Sequence, residues 1–364
     1  MNRKLLALAV GAALSLPLAA QAAPTVYGKV NASVDYLSGD SYKNVWEINS
    51  NVSRFGIKGD ESLTSSLSAL YQVEMGLELA NGDASLSSRN RFVGLKHNDL
   101  GTVRLGRFDS AFKATEGAVD VFNDQKYADM ENGVGVSGQG RLSRVVGYSS
   151  PLIANNITLN FDIQQGNNTS TDASGKHEHS SDGFAASGVY KADNLYLALG
   201  LEKGVNDGAA NGGTIGDQYI GPASYGTPGL NIVGSDVDAR SGIRLVGVVT
   251  AGDLQVGGLV QSTQSTNDDI GGPGNNKQDE MAFLVSAAYK MDKSNTLKGE
   301  LGYNKYDFTG GDAKITFVGA GLDHSFTAAT KVYGLLAYQD VKPSGAGAPK
   351  DSNFNLGLGI ETKF

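Results

Sequence analysis

Val26-Tyr27-Gly28-Lys29-Val30-Asn31-Ala32-Ser33-Val34-Asp35-Tyr36 alternates without interruption. Val26, Gly28, Val30, Ala32, Val34 and Tyr36 share one face; Tyr27, Lys29, Asn31, Ser33 and Asp35 share the other. Successive side chains of a strand point to opposite faces, so the apolar row can meet lipid while Lys29 and Asp35 meet water.

The pattern recurs down the chain. Arg54-Phe55-Gly56-Ile57-Lys58 turns Arg54 and Lys58 inward, and Ser68 to Met75 turns Gln72 and Glu74 inward. Arg89-Asn90-Arg91-Phe92 reads as a strand with both arginines on one face. Ile157-Thr-Leu-Asn-Phe-Asp-Ile-Gln164 alternates strictly, and further strands read at Phe184–Tyr190, Leu195–Glu202, Arg240–Thr250 and Leu254–Gln261. Met281–Met291, Leu297–Tyr303, Ile315–Phe326, Val332–Tyr338 and Asn353–Phe364 complete the series, about sixteen in all. Short connections such as Asn98–Gly101, Lys191–Asn194 and Ala251–Asp253 alternate with long ones rich in Gly, Asn, Asp and Ser. The long ones are Asn167–Asp182, Gly204–Asp238, Ser262–Lys277 and Asp340–Asn353. Short turns at one rim and long loops at the other are the arrangement of an outer-membrane barrel; a soluble β-sandwich does not segregate its loops so.

Composition agrees. Arg3 and Lys4 precede an apolar run from Leu5 to Ala20, and Ala20-Gln21-Ala22 offers a cleavage site, so residues 1–22 read as an export signal. Residues 23–364 then form one domain, an all-β, transmembrane antiparallel barrel. Losing Arg3 and Lys4 takes the formal charge from −8 to −10, and no basic face for nucleic acid remains. No later segment approaches the roughly 18 apolar residues of a membrane helix. There is no cysteine, hence neither a disulfide framework nor a thiol catalyst. Strands alone can cross a bilayer when they close into a barrel, because every backbone group is then paired. Sixteen of them enclose a lumen too wide for side chains to fill.

Between Asp109 and Gly140 the alternation lapses for about thirty residues, and a connection that long inside a compact domain is usually functional. It carries six carboxylates and two lysines, with Arg89, Arg91, Arg104 and Arg107 before it and Arg141 and Arg144 after it. Acid on a loop facing base on the neighbouring strands can build a charged constriction in a channel. Arg107 has the parity of Val103 and Leu105 and points instead to a subunit contact.

The chain resembles the general diffusion porins of Gram-negative outer membranes along its whole length. The resemblance is carried by Val26-Tyr27-Gly28-Lys29, Ser53-Arg54-Phe55-Gly56-Ile57-Lys58-Gly59, Phe92-Val93-Gly94-Leu95-Lys96, Asp99 to Arg107 and the terminal Phe364. It implies a sixteen-stranded homotrimer whose third external loop, here 109–140, folds into each barrel and faces a basic wall cluster. Carried over, that cluster falls on Lys29, Arg54 and Arg89, with Arg141 just after the loop and Glu74 as an inward carboxylate beside it. A Pro-Glu-Phe-Gly-Gly tip is absent from this loop, and Glu116, Asp120 and Asp124 are the nearest acids. Phe364 resembles the signal read by the barrel-assembly machinery. The implied partners are outer-membrane lipid and lipopolysaccharide outside and small hydrophilic solutes inside.

No catalytic arrangement is signalled. His97, His177, His179 and His324 have no nucleophile at a telling spacing, and His177-Glu178-His179 reads as a solvated loop tip rather than a metal site. Neither cofactor nor metal is expected. Two other functions remain open: a substrate-specific channel, needing a binding track along several strands, and an adhesive barrel acting through Gly204–Asp238.

Overall fold

The computed structural model describes residues 23–40, 42–80, 86–166, 170–171, 177–178, 182–205, 239–267, 276–308, 311–344 and 350–364. The export signal, His179 and the 206–238 loop lie outside the described residues.

Sixteen strands cross in sequence. They begin with β1 (Thr25–Gly39), β2 in two pieces (Val45–Ser50 and Arg54–Ser62), β3 (Leu67–Leu77) and β4 (Leu86–His97). Then come β5 (Gly101–Asp109), β6 (Arg141–Ser149), β7 (Ile157–Gln164), β8 (Gly183–Lys191) and β9 (Leu195–Val205). The series ends with β10 (Ala239–Ala251), β11 (Leu254–Asn267), β12 (Asn276–Lys290), β13 (Asn295–Phe308), β14 (Gly311–Ser325), β15 (Thr330–Ser344) and β16 (Asp351–Lys363). Each strand pairs antiparallel with the next, and β1 pairs with β16, so the sheet closes on itself. Ser170–Thr171 and His177–Glu178 form a separate two-residue ladder.

Alternation sets the two surfaces. On β14, Lys314, Thr316, Val318 and Ala320 face out while Ala313, Ile315 and Phe317 are buried inward. Outward aromatics gather toward both ends: Tyr190, Tyr289 and Phe326 by the short turns, and the cross-strand pairs Phe283–Tyr303 and Tyr338–Phe354 toward the other rim. Aromatic girdles of this kind sit at the two membrane interfaces.

Three sequence expectations need correction. Ser262–Lys277 and Asp340–Asn353 are not loops throughout. Strands β11 and β12 stay paired out to Asn267 and Asn276, and β15 and β16 out to Val341 and Asp351, because polar side chains do not interrupt a backbone ladder. Arg89 and Arg91 do not share a face: the register shifts between Val73 and Met75 opposite them, leaving Arg89 inward and Arg91 exposed with Val93 and Leu95. Arg107 borders the interior space, because the register shifts again between Gly106 and Phe108.

Closure is completed by the last residue. Gly28 N donates to Phe364 O at 2.9 Å and Phe364 N to Gly28 O at 3.1 Å. A Cβ on Gly28 would lie 2.5 Å from the Phe364 ring and 2.6 Å from the Arg54 carbonyl. Gly28→Val should therefore lower the yield of heat-modifiable, folded barrel, by an overpacking cost of ~1–3 kcal/mol, and deletion of Phe364 should do the same. Gly299→Ala, whose Cβ meets nothing closer than 3.8 Å, is the control. Equal folded fractions of all three variants on unheated gels would refute this account of closure.

Candidate functional site

Ser110 to Gly140, which we call the inner loop, lies inside the barrel. A short 3₁₀ turn at Lys113–Glu116 and a π turn at Met130–Val134 give it its only helical structure. Asp129 caps the second, accepting from Asn132 N at 2.8 Å, and Gly135 ends it in a left-handed conformation, φ 75°.

The loop leans on one half of the wall. Val119, Phe122, Ala128, Met130, Val134 and Val136 pack with inward-facing Val246 and Val248 on β10, Leu259 on β11, Leu284 on β12, Phe317 on β14 and Leu335 on β15. Burying one such side chain stabilises by roughly 1.5–3 kcal/mol, so this apolar half-core fixes the loop. Missing side chains make room for it. A Cβ on Gly302 would sit 2.2 Å from Val134, and one on Gly321 2.7 Å from Phe122. Polar contacts then set the register: Ser137 N donates to Glu280 at 3.1 Å, Arg244 to Ser137 O at 2.7 Å and Gln339 to Gly133 O at 2.7 Å.

The loop tip reaches the opposite wall. Lys29 Nζ lies 2.6 Å and Arg54 Nη1 3.0 Å from the same Asp124 oxygen. Lys29 also meets Glu361 at 3.2 Å, and Arg54 approaches Glu74 at 4.0 Å, which in turn holds Arg89 at 2.6 Å. Five of the eight candidate residues thus form one continuous ion network. Arg141 has no ion pair with these five; it lies 3.4 Å from Asp109, which Lys113 also approaches at 3.4 Å. Glu116 and Asp120 lie in the body of the loop, each 8% exposed. Asp120 receives Phe122 N and Met130 N at 2.9 Å, and Glu116 receives the Asn123 amide. They brace the loop as well as bordering the open space.

Sequence reasoning missed Asn31 and Asn51. Asn51 occupies the break in β2, beside Val52 at φ 53°, and its oxygen accepts from Lys126 N at 3.2 Å. Its nitrogen donates to Ser33 and to Tyr333, while Asn31 donates to the Asp124 carbonyl. Arg104, flanked by Phe92 and Phe108 at 5.4 and 4.4 Å, faces inward and is held on the wall by those rings.

What remains open is a cavity of about 820 Å³ bordered by the loop, by strands β2 to β6 with Arg54, Arg89, Arg107 and Arg141, and by residues of β10 to β13 such as Arg240 and Glu280. Burial first, then the Glu116 carboxyl, push Asp120 up to about 8, against the pull of the Met130 and Phe122 amides and Lys298. Burial also raises Glu116 and Asp129. At Asp124 burial pushes the same way, but Lys29 and Arg54 outweigh it and hold the carboxyl below its ordinary range.

A closed sixteen-stranded barrel, apolar outside and charged around an interior opening, defines the class of outer-membrane barrels. The chain belongs to the Gram-negative porin family, whose model matches residues 7–344, and its place is the outer membrane. The major outer membrane protein P.IB of Neisseria sicca is 34% identical over 168 residues, which are 42% of this chain and 44% of that protein. The P.IB protein of Neisseria meningitidis serogroup B strain MC58 is 35% identical over 123 residues, 32% of this chain and 36% of its own. The chain thus spans less than half the length of these curated relatives. Among solved structures, the anion-selective porin from Comamonas acidovorans matches with a TM-score of 0.69 at 20% identity, covering 94% of this chain and 99% of that one. The trimer form of OmpT from Vibrio cholerae matches at 0.64 and 18%, covering 94% and 99%. At these identities both speak to the fold.

Two outcomes follow from this geometry. Gly302→Leu should unseat the second half of the inner loop, exposing it to protease while the barrel keeps its heat-modifiable mobility; unchanged cleavage would contradict the seat described. An acid whose value is raised on folding loses stability as pH climbs from its ordinary value toward the raised one. The seat at Asp120 should therefore weaken as pH rises from about 4 to about 8. Amide exchange at Phe122 and Met130, corrected for intrinsic rate, should be faster at pH 9 than at pH 6; equal protection would disprove it.

Proposed function

We propose that this protein is a water-filled channel through which small hydrophilic solutes and ions cross the outer membrane by passive diffusion. The observation that carries the reading is the 820 Å³ opening, charged on both sides, left beside a loop packed firmly against the far wall. A loop held by an apolar half-core narrows the lumen permanently, and charges at the narrowest place act most strongly on what passes. In this reading Lys29, Arg54, Glu74, Arg89 and Arg141 on the wall, with Glu116, Asp120 and Asp124 on the loop, make the constriction at 109–140. The solute meets fixed charges on both sides of the opening, which is the chemistry of transport.

The protein works as a homotrimer in this proposal, in lipid and lipopolysaccharide, with Phe364 presented to the assembly machinery. The trimer form of the Vibrio cholerae structure supports the assembly.

Purified protein added to a planar bilayer should give stepwise conductance, and proteoliposomes should swell in small sugars and progressively less in larger ones. Arg54→Ala with Arg89→Ala removes two long side chains from the rim of the opening and should raise both conductance and the sugar size admitted. Absence of channels from folded protein would defeat the proposal; an unchanged size limit in the double variant would remove these two residues from the constriction.

A further inference from the structure

Strand β2 changes parity at its break. Above it Glu47, Asn49 and Asn51 face inward, where Lys126 and Tyr127 of the inner loop meet them. Below it Arg54 and Gly56 face inward, against Asp124 and the Tyr27 ring. Ile48 and Ile57 are exposed on the outside. The pairing with β1 shows the cause. Lys29 lies opposite Arg54 and Ala32 opposite Ser50, so Asn51, Val52 and Ser53 together face only Val30 and Asn31. Val52 takes up the extra residue at φ 53°. That conformation is unfavourable for a β-branched side chain and persists only where its surroundings impose it. A bulge re-aims side chains, and this one turns both Asn51 and Arg54 toward the same loop tip.

What Asn51 meets there is main chain, not charge. Its oxygen accepts from Lys126 N at 3.2 Å, and the Asn31 amide donates to Asp124 O at 3.2 Å. The two amides thus hold the backbone on either side of Gln125, where Asp124 turns through φ 64°. Their orientation is fixed from behind. Asn51 Nδ2 donates to Ser33 Oγ at 2.7 Å and to the Tyr333 hydroxyl at 2.9 Å, and that hydroxyl donates to Asn31 Oδ1 at 2.8 Å. One acceptor on Asn51 and one donor on Asn31 are left to face the loop. Gly359 makes room for the tyrosine ring, since a Cβ there would lie 2.1 Å from Tyr333 Cζ. Asn31, Asn51 and Tyr333 are at most 3% exposed, so this frame lies away from bulk water.

We infer that Asn31 and Asn51, aimed by the extra residue at Val52 and oriented by Tyr333, are positioning residues that keep the loop tip across the lumen when salt screens its ion pairs. The inference rests on the channel reading and concerns what holds the width of the same opening. Lys29 and Arg54 grip the Asp124 carboxylate. Such pairs weaken as the screening length falls from about 10 Å at 0.1 M salt to about 3 Å at 1 M. Hydrogen bonds between uncharged amides offer salt no net charge to screen. A channel open to the cell exterior meets the ionic strength outside, and this neutral hold keeps its solute size limit constant there.

The test is the largest neutral polymer that enters the open channel in a planar bilayer, measured in about 0.1 M and about 1 M potassium chloride. The parent protein should exclude the same polymers in both. Asn31→Ala with Asn51→Ala leaves every charge in place. Its size limit should match the parent at low salt and rise at high salt, with more open-channel noise. Tyr333→Phe frees both amides to turn and should shift the limit the same way to a smaller extent. Val52→Gly suits a left-handed backbone and should keep the parent limit at both salts. A double variant that keeps the parent limit at high salt overturns the inference and leaves the channel reading intact, and so does a parent whose own limit rises with salt. Should the double variant fail to fold, Tyr333→Phe decides by the same comparison. Folded parent protein that never conducts overturns both readings.

Discussion

In hydrocarbon an unpaired backbone amide has no water to turn to, and the cost of several kcal/mol for each such group governs everything else in this molecule. One open edge between β1 and β16 would expose a column of them. The ladder from Lys29–Lys363 to Gly39–Asn353 removes that edge, and the reciprocal bonds between Gly28 and Phe364 extend it to the last residue. Alternation of side chains follows from the ladder, not the reverse: once the strands are closed, each residue has only an inside or an outside to face.

Closure leaves a hollow, and the hollow is treated differently on its two sides. Along β10 to β15 a band of apolar inward residues meets the apolar residues of the inner loop, flanked by buried polar groups such as Arg244, Glu280 and Asn304 that hydrogen-bond the loop. Along β1 to β4 the inward residues are Lys29, Asn31, Ser33, Asn51, Arg54, Glu74 and Arg89, of which Asn51, Arg54 and Arg89 border the open space. The loop is therefore held by the hydrophobic effect on one flank and by ion pairs and amide contacts at its tip on the other. The seat belongs mainly to Phe122, Met130, Val134 and their wall partners, while the partly buried ion pairs fix where the tip meets the β1 and β2 wall.

The barrel was legible because alternation is a strong local signal: Val26 to Tyr36 and Ile157 to Gln164 read correctly residue by residue. Parity failed where the ladder carries a bulge, since one extra residue flips every side chain beyond it; Arg91 and Arg107 are both misplaced for that reason. Polar strand ends, Ser262 to Asn267 for example, have no alternation to read. Parity and resemblance put Lys29, Arg54 and Arg89 on the inner wall and leave Asp124 as one of the nearest loop acids, and the structure links these four through Glu74. Asn51 was not legible, because a single asparagine at a strand break has no pattern of its own. The half-core did leave a trace: Leu245-Val246-Gly247-Val248-Val249 and Phe283-Leu284-Val285 are apolar on both faces. That is wrong for a wall between lipid and water and right for a wall between lipid and a packed loop.

The inner loop is encoded between β5 and β6, yet its grips lie far along the chain. Lys29 and Asp124 are 95 residues apart, Ser137 and Glu280 143, Val121 and Glu300 179, and Asn132 and Gln339 207. Contacts of such separation form only after the intervening loops have been closed. The loop gains its full seat only with the final strands in place. The width of the interior opening is in this sense inherited from the end of the chain rather than from the segment that fills it.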